Sequence, residues 1–298
     1  MKRVIGFQCE SDNFSSLFRE ANYAVYKHGI ETQPRNLKIR ELINVSLLLT
    51  NPRNRLLISK IRKHSDAYAA GEFLWYMRGA EDLEGLAFYS QSLRDYSDDG
   101  KTLNSAYGSR IFGTHKDFPN QWENVKNKLL ADNDTRQAVI NINYPEDQNR
   151  VTKDVTCTLN LQYFIRERQL HAITVMRSND CFMGLIYDTF CFTMMQELML
   201  YELKLAGLDL DIDLGYYIHN VHSFHMYENH FDKFKKIYQE EVNKPKPMCS
   251  IDVTQLEELQ CDELLLRTEQ KEINTEKYSE PWKWFAISLN KKLKGINK

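Results

Sequence analysis

Hydrophobic and polar positions along this chain follow two different periods, and each period marks an element. Residues 12–28 (DNFSSLFREANYAVYKH) carry apolar side chains at helical spacing behind an Asp-Asn start, which predicts a helix with its N-cap at the head. Residues 64–78 (HSDAYAAGEFLWYMR) read the same way, with Gly79 as the cap beyond the end. A short amphipathic helix is expected over 121–131, a long apolar one over 187–205 and a further one over 224–236. Strands are expected at 42–49, 137–144, 157–166, 170–177 and 212–219, with Glu167–Gln169 turning the third into the fourth as a hairpin. Helices mixed with strands that must pair at long range point to an α+β fold around one large sheet.

Composition narrows the class. With 298 residues, 42% hydrophobic and 27% charged, the chain can bury a sizeable core as a soluble globular protein. Pro245 and Pro247 mark a boundary. Residues 1–243 are therefore expected as the main domain and 244–298 as an extension packed on it, anchored by the aromatic EPWKWF stretch. A net charge of −2 gives no basic field, so no direct nucleic-acid partner is expected and an anionic ligand must be met by a local arginine cluster. The six cysteines include no C-x-x-C pair, and the apolar run in MKRVIGFQCESDN is too short for an export signal. No stretch reaches the ~18–20 apolar residues of a bilayer span. A cytoplasmic protein with reduced thiols and no membrane partner is expected.

Two places carry candidate chemistry. Cys157 opens a predicted strand after a polar loop (DVTCTLNLQYF). It is either a half-buried small residue or a nucleophile, and a nucleophilic thiol needs positive charge beside it. Arg177 is the candidate charge, because the start of one hairpin strand lies near the end of the other. The second place is MRSNDCFMGLIYDTF, residues 176–190. Arg177 and Ser178 can hydrogen-bond a phosphate, and Gly184, between Asp180 and Asp188, can let backbone approach a ligand closely. Asp188 is either the N-cap of the apolar helix that follows or a carboxylate that reads a base edge. The bland alternative for the segment is a surface turn with solvated charges. His219, His222, His225 and His230 lack the carboxylate pattern of a metal site, so no metal is expected.

The segment from Cys157 to Asp188 resembles the thymidylate synthases, and more closely the phage-type deoxycytidylate hydroxymethylases within that family. The family shows a catalytic Cys, a strand pair, Arg-Ser-x-Asp, a Gly and a base-reading Asn or Asp. Here those are Cys157, Arg177, Ser178, Asp180, Gly184 and Asp188. GEFLWYMRG (71–79) resembles the helix of the catalytic Glu, placing Glu72, and NSAYG (104–108) the short Tyr-Gly loop, placing Tyr107. NDTRQAV (133–139) resembles the segment that lends phosphate-binding arginines to the neighbouring subunit, placing Arg136. HNVHSFHMYENHF (219–231) resembles the sugar-binding His-x-Tyr segment, placing His225 and Tyr227, and Arg35 resembles the N-terminal phosphate-binding Arg. The matches run in the family's order over about residues 12–232.

The resemblance implies a mixed sheet with flanking helices whose sheet forms a homodimer interface, with active sites shared between subunits. It implies that Cys157 adds to C6 of a pyrimidine nucleoside monophosphate, so that C5 attacks the one-carbon unit of 5,10-methylenetetrahydrofolate. Glu72 would organise water and move protons, with Tyr107 beside the chemistry. Arg35, Arg177, Ser178 and the partner's Arg136 would hold the phosphate, and His225 and Tyr227 the sugar. Asp180, Gly184 and Phe88 would meet the folate.

Asp188 points to the base. Uracil offers an acceptor at O4 and a donor at N3, which an Asn amide matches. Cytosine offers a donor at N4 and an acceptor at N3. An ionised Asp accepts from N4 and repels O4 of uracil, and a proton shared at N3 or on the carboxyl completes both contacts. The expected substrate is dCMP, with CMP as the ribose alternative.

Departures from the synthases concern the fate of the one-carbon unit. Thr158 follows Cys157 where synthases have His, and Gln137 replaces the second Arg of the phosphate pair. Phe88 and Tyr89 stand near the folate-packing Trp, and the apolar closing tail is not recognisable in NKKLKGINK. Such losses suit addition of water, rather than of hydride, to the exocyclic carbon, giving a hydroxymethyl product. A dCMP methylase, a dUMP-using thymidylate synthase and an inactive RNA-binding or scaffold relative are the alternatives. A zinc deaminase is excluded by the missing P-C-x-x-C.

Overall fold

The computed structural model describes residues 5–113, 120–241 and 245–295; the basic start MKRV, the expected boundary at 243/244 and the last three tail residues lie outside them. In chain order the elements are β1 (Ile5–Ser11), α1 (Phe14–His28), β2 (Ile30–Thr32), β3 (Ile39–Leu49), α2 (Asp66–Met77), α3 (Leu83–Ala87), α4 (Tyr107–Phe112) and α5 (Gln121–Ala131). Then come β4 (Val139–Asn141), β5 (Thr158–Arg166), β6 (Gln169–Asp180), α6 (Gly184–Leu205), β7 (Asp213–Tyr227), α7 (Phe231–Tyr238), α8 (Leu256–Glu269) and α9 (Trp282–Leu293). They fall into two compact units.

The first unit comprises Met1–His64, Cys157–Gln196 and Asp211–Met248. Its strands lie in the order β1-β3-β7-β6-β5, with β2 pairing β3. β1 runs parallel to β3 and β6 parallel to β7, while β3–β7 and β5–β6 are antiparallel, so the sheet is mixed, as the α+β reading expects. Helix α1 starts where Asn13 accepts the Ser16 N–H at 2.9 Å, an N-cap bond. The β5–β6 hairpin turns where expected, through Glu167 and Arg168 at φ 50° and 58°, whose left-handed backbone matches the twist of a tight hairpin. Helix α6 is buried almost all round from Leu185 to Leu200, which its unbroken apolar sequence requires.

The structure adds β2, α3, α4, α8 and α9 to the expected elements, and it departs from them at other places. Strand β7 continues to Tyr227, and only Phe231–Tyr238 of the expected 224–236 helix is helical. Residues 224–227 are paired with β3, and Phe224 and His225 with β6 as well; that ladder overrides local helical spacing. Strand β4 is shorter than 137–144. Strand β1 was not expected; its parallel pairing with β3 is a long-range contact that no local pattern announces.

The second unit comprises Ser65–Thr156, Glu197–Leu210 and Cys249–Lys298 and is largely helical. Its α2 packs on α9, with Phe73 edge-on to Phe285 at 5.7 Å and stacked with Trp282 at 6.3 Å. The fully buried Glu263 of α8 meets Arg78 at 2.6 Å and Arg267 at 2.7 Å and accepts from the Tyr89 hydroxyl at 2.6 Å. A carboxylate buried without such partners would carry a large desolvation cost.

Candidate active site

In the first unit, pairing directions bring four segments to one end of the sheet. These are the ends of β6 and β7, the start of β5 with Cys157 before it, and the start of β3 with Arg35 before it. Thr158 lies opposite Met176, and the Arg177 N–H donates to the Cys157 carbonyl at 2.8 Å. The same register carries the Arg177 guanidinium to Cys157, with Nη2 3.6 Å from Sγ. A cation at this distance favours thiolate over thiol. Cys157 is half-buried and Arg177 exposed, so the pair is reachable. Two other thiols of the unit differ: burial pushes the Cys9 thiol up to about 12 and raises that of Cys181 well above its ordinary value.

Next along β6, Ser178 faces Ser223 and Asp180 faces His225 across the parallel ladder. The Cys181 N–H donates to the His225 carbonyl at 2.8 Å. The buried His225 ring stands edge-on to Tyr227 at 5.3 Å. Arg35, held in a left-handed conformation at φ 53°, donates from Nη2 to Tyr227 Oη at 3.5 Å.

The two aspartates do different jobs. Asp180 Oδ1 accepts the backbone N–H of Phe182 at 2.8 Å and of Met183 at 3.1 Å, closing the turn into α6. Because α6 begins at Gly184 rather than at 187, Asp188 stands inside the helix and is not its N-cap. Its Oδ2 instead accepts from Asn179 Nδ2 at 2.7 Å. A Cβ on Gly184 would come within 3.1 Å of Asn179 Nδ2 and 3.3 Å of Asp188 Oδ2, so glycine leaves room for this bond. Burial pushes the Asp188 carboxyl up to about 7, with the neighbouring Asp180 charge adding to the rise and the Asn179 bond opposing it. The residue still keeps part of its surface open.

The remaining predicted residues belong to the second unit. Glu72 is buried on α2 and accepts from the Tyr68 hydroxyl at 2.8 Å, one helical turn back. Tyr107 opens α4, its ring 5.5 Å from that of Tyr76. Gly108 is needed behind it, because a Cβ there would lie 2.4 Å from the Tyr76 carbonyl oxygen. Arg136 is exposed on the turn between α5 and β4. Phe88 is half-buried and edge-on to Tyr89 at 5.1 Å. A cleft of about 900 Å³ in this unit is lined by Arg110, Tyr144, Asp147 and neighbours, and by none of the predicted site residues.

Sequence reasoning missed Asn179 and the role of His219. His219, His222 and His225 all lie on β7, where His219 and His225 are buried and His222 is exposed. Among the described residues no group of His, Cys, Asp or Glu could hold a metal. Nor is any described helix long and apolar enough to cross a membrane. The signal that could have found His219 is its place two residues from Tyr217 and from Val221 on the buried face of a strand.

This chain belongs to the thymidylate synthase family, whose family model matches residues 18–279. It is 31% identical over 224 residues to the deoxyuridylate hydroxymethyltransferase of Bacillus phage SP01, covering 72% of this chain and 57% of that protein. It is 30% identical to the enzyme of the same name from Delftia phage PhiW-14, covering 70% and 59%. With the deoxycytidylate 5-hydroxymethyltransferase of Enterobacteria phage T4 it shares 24% identity, covering 72% and 82%. The chain thus spans well over half, but under two thirds, of the length of the deoxyuridylate hydroxymethyltransferases it matches.

Proposed function

We propose that the chain transfers a one-carbon unit to C5 of a pyrimidine nucleoside monophosphate, with a cytosine nucleotide, dCMP first, as substrate and a hydroxymethyl product. The observation that carries the reading is the Cys157–Arg177 pair: one reachable thiol with a guanidinium 3.6 Å from its sulfur, at the sheet end where Asp188, His225 and Tyr227 also stand. In this reading Cys157 adds to C6, Arg177, Ser178 and Arg35 with the partner's Arg136 hold the phosphate, and His225 and Tyr227 hold the sugar. Glu72, already hydrogen-bonded by Tyr68, orders water and moves the C5 proton. Methylenetetrahydrofolate supplies the one-carbon unit as co-substrate. Both bonds Asp180 makes to the turn go to Oδ1, which leaves Oδ2 to accept from a pterin, and Gly184 and Phe88 are the other residues assigned to the folate in this reading.

A deoxyuridylate hydroxymethylase is the second reading. It is favoured by the names of the relatives at 31% and 30% identity, and opposed by an acceptor-type side chain at Asp188. Incubation with methylenetetrahydrofolate and, separately, dCMP, CMP and dUMP, read by product mass, decides between them. A hydroxymethyl product from dCMP with tetrahydrofolate release is expected. Turnover of dUMP alone would reject the cytosine reading, and no turnover by folded protein would reject the enzyme reading.

Homodimerisation through the sheet is part of the proposal. Registered rows Gln162–Ile173–Ile218–Leu48 and Asn160–Val175–Asn220–Ser46 make a half-buried face of alternating apolar and small polar side chains. A second copy of the same face would cover it. Sedimentation velocity at micromolar concentration should show a dimer, and Ile218→Glu should shift it to monomer and lower turnover; a monomeric, fully active wild type would reject the shared site.

A further inference from the structure

Behind Asp188 a chain of hydrogen bonds continues into the buried face of the sheet. Asn179 Oδ1 lies 3.2 Å from His219 Nε2, and His219 Nδ1 lies 2.8 Å from Tyr217 Oη. Tyr217 Oη is also 3.0 Å from Thr174 Oγ1. Asn179, His219, Tyr217 and Thr174 are all buried. The β6–β7 ladder sets the spacing, because Thr174 faces His219, with Tyr217 two residues along the same strand face.

The chemistry of each group fixes the direction of this chain. The Asn179 amide donates from Nδ2 to Asp188 Oδ2 at 2.7 Å, which turns its oxygen to His219. That oxygen needs a donor, so His219 carries its proton on Nε2. Nδ1 is then bare and accepts the single Tyr217 hydroxyl proton, which turns to it from Thr174 Oγ1, and the Thr174 hydroxyl can donate to Tyr217 Oη in return. Burial drives His219 down to about 3, so it stays neutral with a single N–H and must choose one tautomer. Turning the amide over would set two acceptors against each other wherever Asp188 is ionised.

We infer that His219, as its Nε2–H tautomer, is a positioning residue that holds the Asn179 amide toward Asp188 and so keeps Asp188 an acceptor for the exocyclic amine of a cytosine base. The inference rests on the proposed base-reading role of Asp188. Without the His219 donor, Asn179 is free to turn over and Asp188 loses the bond that favours its ionised form. A protonated Asp188 donates to O4 of uracil, and discrimination falls. His219→Gln keeps an N–H that can reach Asn179, whereas His219→Leu does not.

Two measurements test this. In wild-type protein with ¹⁵N-labelled histidine, the long-range ¹⁵N–¹H spectrum should contain a neutral His219 protonated on Nε2, identified by its absence in His219→Gln. A His219 protonated on Nδ1 or charged near neutral pH overturns the inference, whatever the substrate. The ratio of kcat/KM for dCMP over dUMP should fall about tenfold or more in His219→Leu, the loss expected for a hydrogen bond to a charged group, and stay within about threefold in His219→Gln. Folded His219→Leu with an unchanged ratio also overturns it. Wild type that uses dUMP alone rejects the cytosine reading, and the spectrum still tests the tautomer independently.

Discussion

Replacing Cys157 by alanine is expected to abolish turnover, by on the order of 10⁴-fold or more in kcat, while nucleotide binding stays within a few-fold of wild type. The proposed covalent route has one nucleophile, and no other described side chain at this sheet end is proposed to add to C6. Arg177 and its neighbours remain to hold the nucleotide in the variant. Cys157 is half-buried at a strand start, so losing its sulfur should leave stability nearly unchanged. Arg177→Leu is the companion variant. It removes the guanidinium 3.6 Å from the sulfur, and alkylation of Cys157 by iodoacetamide near neutral pH should slow by roughly tenfold. Peptide mapping must separate Cys157 from the exposed Cys249 and Cys261. Cys157→Ala with wild-type turnover would remove the nucleophile from the mechanism.

The Cys157–Arg177 contact is legible in the sequence because a hairpin is local. Two alternating strands and a short turn place the start of one beside the end of the other, and the register does so here. The base-reader is legible only by resemblance, since Asp188 by itself also suits an N-cap. The structure removes that alternative by starting α6 one turn earlier. The Asn179–His219 relay is not legible, because its members lie 40 residues apart and meet only through the parallel β6–β7 ladder. No short-range pattern encodes a parallel register. The same limit explains the missed β1 and the misread 224–227, whose conformations are set by partners on β3 and β6.

Changing Asp188 to asparagine should reverse base preference and, separately, reshape the pH dependence of stability. Asparagine presents a donor and an acceptor, which match O4 and N3–H of uracil, while N4 of cytosine then meets a donor. Two contacts change, each worth about 1.5–3 kcal/mol when charge is involved, so the dCMP-to-dUMP ratio of kcat/KM should move by roughly 10²–10⁴. The stability effect follows from burial. In the folded protein the carboxyl rises from 3.8 to about 7, so folding favours its neutral form. That contribution is fully present below the unfolded value and is lost as pH rises through about 7. The rise corresponds to at most ~4 kcal/mol, reduced because part of the residue faces water. Asparagine does not titrate. The variant should therefore gain on wild type as pH rises, with most of the gain between pH 5 and pH 8, read by urea unfolding at both values. An unchanged substrate ratio would remove Asp188 from base reading. A pH-independent stability difference would show that folding does not raise its carboxyl.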